Sequence, residues 1–223
     1  MLILALDTSG DVCSVALSDG DRCRAEYNFR HDRRLIERLP GAVQFVLSDA
    51  GVKMNDVEAF AVGLGPGSFT GVRVGVTMAK VWAMTAAKPV VGVSSLDVLA
   101  EPLRYTGLPL VCIAPTRHTE SVAAFYAAGS ATPLAPPAVL ANAAIITLAQ
   151  DATQRKKLLL AGEITQKVHD AAPPTDGEGN VTVLVASPLA SAVARLAYAR
   201  LLRGESDSTD TLVPLYVTPP PTG

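Results

Sequence analysis

A glycine-rich loop that runs directly into a helical pattern is the feature that most restricts how this chain can fold. The loop reads LGPGSFTGVRVG over residues 64–75 and follows an apolar run at 57–63. Such a run is typical of a buried strand, and Gly and Pro mark the turn that ends it. From Gly71 to about Ala87 the composition is helical. We therefore predict a strand, a tight loop and a helix, in that order.

The rest of the chain shows further short apolar runs and helical patterns. Aromatic residues make up only 5% of the chain, so Ala, Val and Leu must build the core, which suits a mixed sheet covered by helices. Pro40 lies within the first helical pattern, where we expect a kink because the apolar face resumes in phase. We predict an N-terminal lobe over residues 1–105 and a C-terminal lobe over 106–223. Strands are predicted at 2–6, 12–18, 22–28, 89–93, 108–114, 122–126 and 158–161, and helices at 32–50, 96–104, 141–153 and 187–203.

Charge and cysteine content argue against several classes of protein. The formal net charge is −2, whereas a stand-alone nucleic-acid-binding protein usually has a strong basic excess. Cys13, Cys23 and Cys112 are scattered and form no C-x-x-C pair, which is typical of reduced thiols. Met1 leads into an apolar run without a basic segment, and no run is long enough to span a bilayer. We expect a cytoplasmic protein that makes no membrane contact.

Arginines are concentrated near the N-terminus. Six of the nineteen basic residues fall between positions 22 and 38, namely Arg22, Arg24, Arg30, Arg33, Arg34 and Arg38. A solvated face is the usual explanation for such a cluster. A local contact with RNA phosphate or with an acidic partner is the more specific alternative. The sequence leaves both open.

Small residues recur every fourth position through the glycine loop and the helix after it, and residues four apart lie along one ridge of a helix. Gly75 inside a helix costs about 1 kcal/mol relative to Ala, which close packing would offset. The ridge either packs on the chain's own sheet or on the 35–47 helix, or it receives another protein. If the ridge receives another protein, a bulky residue at Gly75 or Ala79 should abolish partner binding and leave the monomer folded. The predicted partner interface consists of Leu35, Leu39, Val43, Val72, Gly75, Val76, Ala79 and Trp82.

The glycine loop does not match the standard phosphate-binding fingerprints. A Walker motif needs Lys after its last Gly, but Val72 follows Gly71, and a dinucleotide motif starting at Gly65 would need Gly in place of Thr70. The turn Asp7-Thr8-Ser9 is a second candidate, since an acid followed by hydroxyls can hold a magnesium-phosphate group. An Asx-type turn is the alternative. The matching turn of the second lobe, residues 114–120, contains neither Asp nor Gly, which argues against a phosphotransferase.

Metal and nucleophile chemistry has little support. His31, His118 and His169 are far apart and form no H-x-x-x-H pair, so we predict that each is a surface or turn residue. No G-x-S-x-G motif is present, and Ser68 is predicted to be a turn or helix-cap residue. We predict no catalytic residue and no metal site.

Three segments taken together closely resemble the TsaB (YeaZ) family. They are LALDTS at 4–9, AVGLGPGSFTGVRVG at 61–75 and PVVGVSSL at 89–96, and the resemblance covers about residues 1–100. In the second lobe the turn keeps Arg117 and Glu120 of the family pattern, and Thr218 stands where an Arg is common. The signature loop comprises Gly65, Pro66, Gly67, Ser68, Phe69, Thr70, Gly71 and Arg73.

This resemblance implies an actin/Hsp70/sugar-kinase-like fold of two ribonuclease-H-like lobes, each with a mixed sheet and flanking helices. It implies a non-catalytic scaffold that helps to make threonylcarbamoyladenosine next to the anticodon of tRNA. The implied partners are the transferase TsaD, paired through the first-lobe helices, and the ATPase TsaE, with tRNA engaged indirectly through the complex.

The same resemblance implies a homodimer when the chain is isolated and no intrinsic cofactor, with a nucleotide at a shared interface as an open expectation. An ATP-dependent phosphotransferase of the same fold and a glycoprotease-like peptidase are the alternative functions.

Overall fold

The computed structural model describes residues 1–30, 34–116, 119–154, 156–171 and 180–217, which divide into two compact units. Unit 1 comprises Met1–Val98 and Pro188–Leu215, and unit 2 consists mainly of Leu99–Ser187. The predicted second lobe, residues 106–223, therefore differs from the structure, because the chain returns to unit 1 at Pro188. None of the helices in the described ranges is long and apolar enough to cross a membrane.

Ten strands and six α-helices lie within the described ranges. The strands are β1 Leu2–Asp7, β2 Val12–Asp19, β3 Arg22–Arg30, β4 Ala59–Gly63, β5 Val90–Val93, β6 Leu110–Pro115, β7 Glu120–Tyr126, β8 Ala138–Ala141, β9 Leu158–Gly162 and β10 Val181–Val185. The helices are α1 Leu35–Asp49, α2 Phe69–Ala86, α3 Ser95–Leu103, α4 Asn142–Ala152, α5 Thr165–Ala171 and α6 Ala190–Leu201. Two short 3₁₀ helices cover Met54–Asp56 and Arg104–Thr106.

Each unit contains one five-stranded mixed sheet, and the two sheets have the same topology. In unit 1 the order is β3-β2-β1-β4-β5, with the first three strands antiparallel and the last three parallel. In unit 2 the order is β10-β9-β6-β7-β8, so β6 takes the central place that β1 has in the other sheet. These sheets confirm the two mixed α/β lobes expected from the sequence.

Both faces of the unit 1 sheet are buried, and successive apolar side chains along its strands point to opposite faces. One face carries large side chains such as Leu4, Leu6 and Phe60, and it packs against α1 and α2. The other face carries small residues, among them Ala5 and Ala61, and it packs against the alanine-rich α6. Small side chains on both partners let α6 lie close to the strands. This close packing explains why α6, distant in sequence, belongs to unit 1.

Local sequence accounts for the limits of α2. The hydroxyl of Ser68 accepts a hydrogen bond of 3.2 Å from the Gly71 N–H, which confirms Ser68 as the predicted cap. At the other end Ala87 adopts a left-handed conformation with φ of 51°, and the N–H of Lys88 donates to the carbonyl of Ala83. Such a left-handed residue is a common way to end a helix, and Pro89 follows where the helix cannot continue.

Most predicted elements appear within a few residues of their expected limits. The helix predicted at 32–50 continues through Pro40, so its expected persistence across proline is confirmed. Strands β8 and β10 and the short helix α5 were not predicted. Each spans seven residues or fewer, too short for a clear periodicity.

Candidate functional site

The turn after β1 is buried and extensively hydrogen-bonded. Asp7, Thr8 and Ser9 are fully or almost fully buried. One carboxylate oxygen of Asp7 accepts hydrogen bonds from the N–H and the hydroxyl of Ser9, at 2.8 and 2.6 Å. The other accepts from the hydroxyl of Ser95, at 2.7 Å, and that hydroxyl in turn accepts from the N–H of Gly65. Gly65 belongs to the family segment 61–75 and Ser95 to the segment 89–96, so both segments are linked by hydrogen bonds to Asp7 in the first segment.

The glycine loop fits around this turn at backbone distance. The N–H of Ser68 donates to the carbonyl of Ser9 at 2.6 Å, and the hydroxyl of Thr8 donates to the carbonyl of Gly71 at 2.7 Å. A Cβ atom at Gly67, Gly71 or Gly75 would lie less than 3 Å from an atom of Thr8 or Ser9. The glycines of the loop are thus required by the close approach of the β1 turn.

This packing gives the phosphate-binding candidate a structural role. Both carboxylate oxygens of Asp7 and the hydroxyls of Thr8 and Ser9 are engaged by protein atoms, and the turn is closed to solvent. A magnesium-phosphate group would have to displace several buried hydrogen bonds to reach Asp7. In the described ranges, no group of three His, Cys, Asp or Glu side chains could hold a metal ion.

The predicted partner interface requires a correction. Leu35, Leu39 and Val43 of α1 are at most 5% exposed and lie in the apolar core of unit 1. Val72, Val76 and Ala79 of α2 are buried in the same core, and Gly75 is buried against Thr8. Trp82 alone among the predicted residues is partly exposed. The helical periodicity identified the buried face correctly, but that face packs on the chain's own sheet.

A groove between α1 and α2 is one accessible feature of these helices. It has a volume of about 440 Å³, and its walls include Gln44 and Ser48 from α1 and Met78 and Trp82 from α2. Lys53 and Met54 also line it. Trp82 stacks at a tilt on the buried ring of Phe60, with ring centroids 6.0 Å apart, so the wall of the groove is anchored to the core.

The remaining residues of the signature loop lie at the surface. Phe69 is 58% exposed, and the guanidinium of Arg73 lies over its ring at 4.2 Å from the centroid. Thr70 is exposed as well, whereas Pro66 is buried. The sequence-predicted loop therefore divides into a buried part around Asp7 and an exposed part at the start of α2.

The second-lobe turn is only partly described. The hydroxyl of Thr116 donates to the carbonyl of Glu120 at 3.0 Å, and Glu120 begins β7. Arg117 and His118 lie outside the described residues, as do His31, Arg33 and Thr218. His169 is exposed near the end of α5, as expected for a surface histidine.

Two polar clusters of unit 1 escaped sequence reasoning. Glu26 of β3 accepts hydrogen bonds from the hydroxyl of Ser14 and from both the N–H and the hydroxyl of Ser191, at 2.9 to 3.1 Å. The carboxylate thus satisfies the start of α6 from a distance of 165 residues. In the second cluster, Arg200 and Asp207 form a two-pronged ion pair with distances of 3.0 and 3.1 Å. No local sequence pattern announces either cluster.

Comparison with known proteins can now be set beside this geometry. The family model described as "TsaD: tRNA N6-adenosine threonylcarbamoyltransferase" matches residues 30–207, which is most of the chain. A protein of Escherichia coli named "tRNA threonylcarbamoyladenosine biosynthesis protein TsaB" is 41% identical over 101 residues. The chain belongs to this family, in its TsaB (YeaZ) branch. The match to the Escherichia coli protein covers 45% of this chain and 43% of that protein, so it spans less than half the length of the relative.

Solved structures of the TsaB (YeaZ) branch extend the likeness to the whole chain. A protein from Pseudomonas aeruginosa, described as having similarity to peptidase YEAZ, has a TM-score of 0.83 at 27% identity. The match covers 97% of this chain and 99% of that one. An activator of 2-hydroxyisocaproyl-CoA dehydratase from Clostridium difficile has a TM-score of 0.51 at 8% identity, which shows the fold alone. The expected fold of two α/β lobes, each with a mixed sheet and flanking helices, is confirmed.

Proposed function

We propose that this chain is a non-catalytic subunit of an assembly that makes threonylcarbamoyladenosine in tRNA. The observation that carries the proposal is membership of a family whose Escherichia coli relative is named for that biosynthesis. In this assembly the chain pairs with the transferase TsaD, and the ATPase TsaE joins the pair. The tRNA is held by the assembly, and a nucleotide bound at a shared interface belongs to the assembly as well.

The closed turn at Asp7 supports a role outside the chemical step. Asp7, at the end of the first strand, is the acid that could hold a magnesium-phosphate group. Its carboxylate oxygens, however, already accept hydrogen bonds from Ser9 and Ser95. The core position of this turn also favours a structural function for the signature, because removing Asp7 would leave buried donors unpaired. A phosphotransferase or a peptidase has no comparable support in the described residues.

The groove between α1 and α2 supplies the contact surface of the proposal. Its apolar walls at Met78 and Trp82 are flanked by the polar side chains of Gln44 and Lys53. An apolar centre with a polar rim is the usual anatomy of a protein–protein interface, and Trp and Met are enriched there. We place TsaD in this groove, and a second copy of the chain takes the same position when TsaD is absent.

Reconstitution tests the proposal. The chain and the TsaD of its own organism would be co-expressed, and tRNA nucleosides would be analysed by mass spectrometry with and without the chain. Modification should require the chain. Equal modification in its absence would refute the scaffold role, and tight binding and turnover of magnesium-ATP by the isolated chain would favour the phosphotransferase.

A groove variant makes the test specific. Gln44→Arg places a long charged side chain at the groove, whereas Gln166→Arg makes the same change on exposed α5 of unit 2. Only Gln44→Arg should abolish co-purification with TsaD, because a charge without a partner opposes burial at an interface. Circular dichroism should show both variants folded. Retention of TsaD by Gln44→Arg would place the contact elsewhere.

A further inference from the structure

Arg24, Arg38 and three aromatic side chains lie in the seam between β3 and α1, with Arg34 just before α1, and we call this surface the arginine seam. The guanidinium of Arg38 lies over the ring of Phe29, 4.5 Å from its centroid, and donates to the carbonyl of Arg30. The ring of Tyr27 stacks on Phe29 at 5.5 Å and meets Phe45 at 5.1 Å. Arg24 closes the far end by donating to the carbonyl of Ala50 at 3.2 Å.

At the end of the seam that carries Arg34 and Arg38, the described acids of β3 and α1 offer these two cations little compensation. The carboxylate of Glu26 in β3 already accepts hydrogen bonds from Ser14 and Ser191. Glu37 pairs with Arg34 at 2.9 Å, and both side chains are about two-thirds exposed, so this pair is a weak surface contact. Asp49 is exposed near the Arg24 end of the seam. Of the described acids of β3 and α1, Glu37 is thus the one that contacts a cation at the Arg38 end of the seam.

The aromatic part of the seam is open to solvent. Phe45 is 56% exposed and Tyr27 is half-buried, although aromatic side chains of this size are commonly buried in the apolar core. Aromatic faces flanked by cations are the combination that single-stranded nucleic acid uses, because bases stack on the rings while guanidinium groups neutralise the phosphates. Arg24 and Arg30 are separated by six residues of strand, or about 20 Å, which is long enough to follow several nucleotides.

We propose that the arginine seam binds a single-stranded loop of tRNA directly. This inference rests on the proposed function for the choice of tRNA as the ligand, and it gives the chain a contact with tRNA of its own. Phosphates of the loop contact Arg24, Arg34 and Arg38, and an unpaired base stacks on Phe45. Because the formal net charge of the chain is −2, we expect tRNA to bind at the seam and not over the whole surface. The affinity should fall steeply as the salt concentration rises.

Binding of the purified full chain to a tRNA transcript would be followed by fluorescence anisotropy at several salt concentrations. The test variant is Arg24→Gln/Arg34→Gln, which leaves Arg38 in its contact with Phe29. The matched control is Lys88→Gln/Arg203→Gln, two exposed cations outside the seam. The slope of log affinity against log salt should fall by about 1.5 in the test variant, since each lost phosphate contact contributes about 0.7 to 0.9. The control should keep the slope of the natural chain.

A second pair of variants tests the stacked base. Phe45→Ser should weaken binding to an RNA stem-loop by about tenfold, as expected from loss of one base–aromatic stack, and should leave binding to a blunt RNA duplex unchanged. Tyr105→Ser, on an even more exposed aromatic of unit 2, should bind like the natural chain. Equal binding of stem-loop and duplex by the natural chain would overturn the assignment to a loop.

Absence of tRNA binding by the natural chain at low salt would overturn the proposal, as would equal salt slopes for the test and control variants. Capture of an acidic protein by the seam without tRNA binding would refute it in favour of a different partner. TsaD takes no part in these measurements. A chain that binds tRNA but is dispensable for modification would refute the proposed function alone, and the reverse result would refute the seam alone.

Discussion

The hydroxyl of Thr8 donates a 2.7 Å hydrogen bond to the carbonyl of Gly71, although 63 residues of sequence separate them. One helical turn further on, a Cβ atom at Gly75 would overlap the same hydroxyl. Helix α2 therefore lies against the β1 turn with no room for a side chain between them. The ridge of small residues receives this turn, which belongs to the same chain, and the helix cost of Gly75 is offset by that contact.

Gly75→Ala should destabilise the protein. In an open helix this change would be favourable by about 1 kcal/mol, but here the added methyl group overlaps the Thr8 hydroxyl. Overpacking of this kind costs roughly 1–3 kcal/mol, so the free energy of unfolding in urea should fall by about that amount. The sequence predicted that a bulky residue at Gly75 leaves the monomer folded. The structure instead predicts a loss of stability, because Thr8 occupies the space that the side chain would need.

Gly41→Ala is the matched control for that change. Gly41 also lies inside a helix, α1, but nothing is found within 4 Å of the position of its added Cβ atom. The variant should therefore gain about 0.5–1 kcal/mol of stability from helix propensity. If both variants were stabilised equally, the close approach of Thr8 to α2 would be wrong.

Asp7→Ala should destabilise the chain more than Asp7→Asn. The alanine removes both acceptors from the hydroxyls of Ser9 and Ser95 and from the N–H of Ser9. Each buried donor left unpaired costs about 1–3 kcal/mol, so urea unfolding should show a loss of at least about 3 kcal/mol. The asparagine keeps the volume and one acceptor oxygen. Asp49→Ala, an exposed acid at the end of α1, should have little effect, and an equally small effect of Asp7→Ala would contradict the buried network.

Native cysteine reactivity should be confined to Cys23. Burial, with a smaller contribution from Asp7, raises the pKa of Cys13 to about 12, and its side chain is fully buried. Burial also raises the pKa of Cys23 from 9.0, but this side chain is partly accessible. A thiol reagent at pH 8 should label Cys23 slowly, and the rate should still be rising above pH 9, because the thiolate is the reacting form.

Cys23→Ser provides the control for this reactivity. The variant should lose native labelling, since Cys13 and Cys112 are both buried, and in denaturant its two remaining cysteines should react. Rapid labelling of Cys13 in the folded natural chain, located by peptide mass spectrometry, would show that the β1–β2 core is open.

Asp207→Ala should release the segment that follows α6 from the edge of β5. Asp207 accepts a 2.8 Å hydrogen bond from the N–H of Gly92 and forms the two-pronged pair with Arg200, whose pKa it raises by hydrogen bonding. Loss of these part-buried charged hydrogen bonds should lower the free energy of unfolding by about 1.5–3 kcal/mol. Hydrogen exchange at Gly92 should rise at the same time. Glu37→Gln, in the exposed pair with Arg34, should shift unfolding far less, and the reverse order would refute this assignment.

The local elements of unit 1 followed from the sequence because their signals are local. Apolar runs predicted β1 and β4, and the position of Ser68 before α2 predicted a helix cap that the structure contains. The signature motifs also indicated the family. In contrast, the pair Ser94-Ser95 before the helix predicted at 96–104 has the pattern of a helix cap, whereas the structure assigns the hydroxyl of Ser95 to Asp7, a residue 88 positions away. A cap pattern cannot reveal such a distant acceptor.

The periodicity and glycine spacing of this chain determined which helix faces are buried, and only the tertiary structure decided what buries them. Hydrophobic spacing reports that a side chain avoids water, but it carries no information about whether the neighbouring surface belongs to the same chain or to a partner. For α2 the neighbour is Thr8, and Met78 and Trp82 remain accessible where the helix lines the groove. The return of α6 to unit 1 was decided in the same way, by close contact between small residues on β1, β4 and α6.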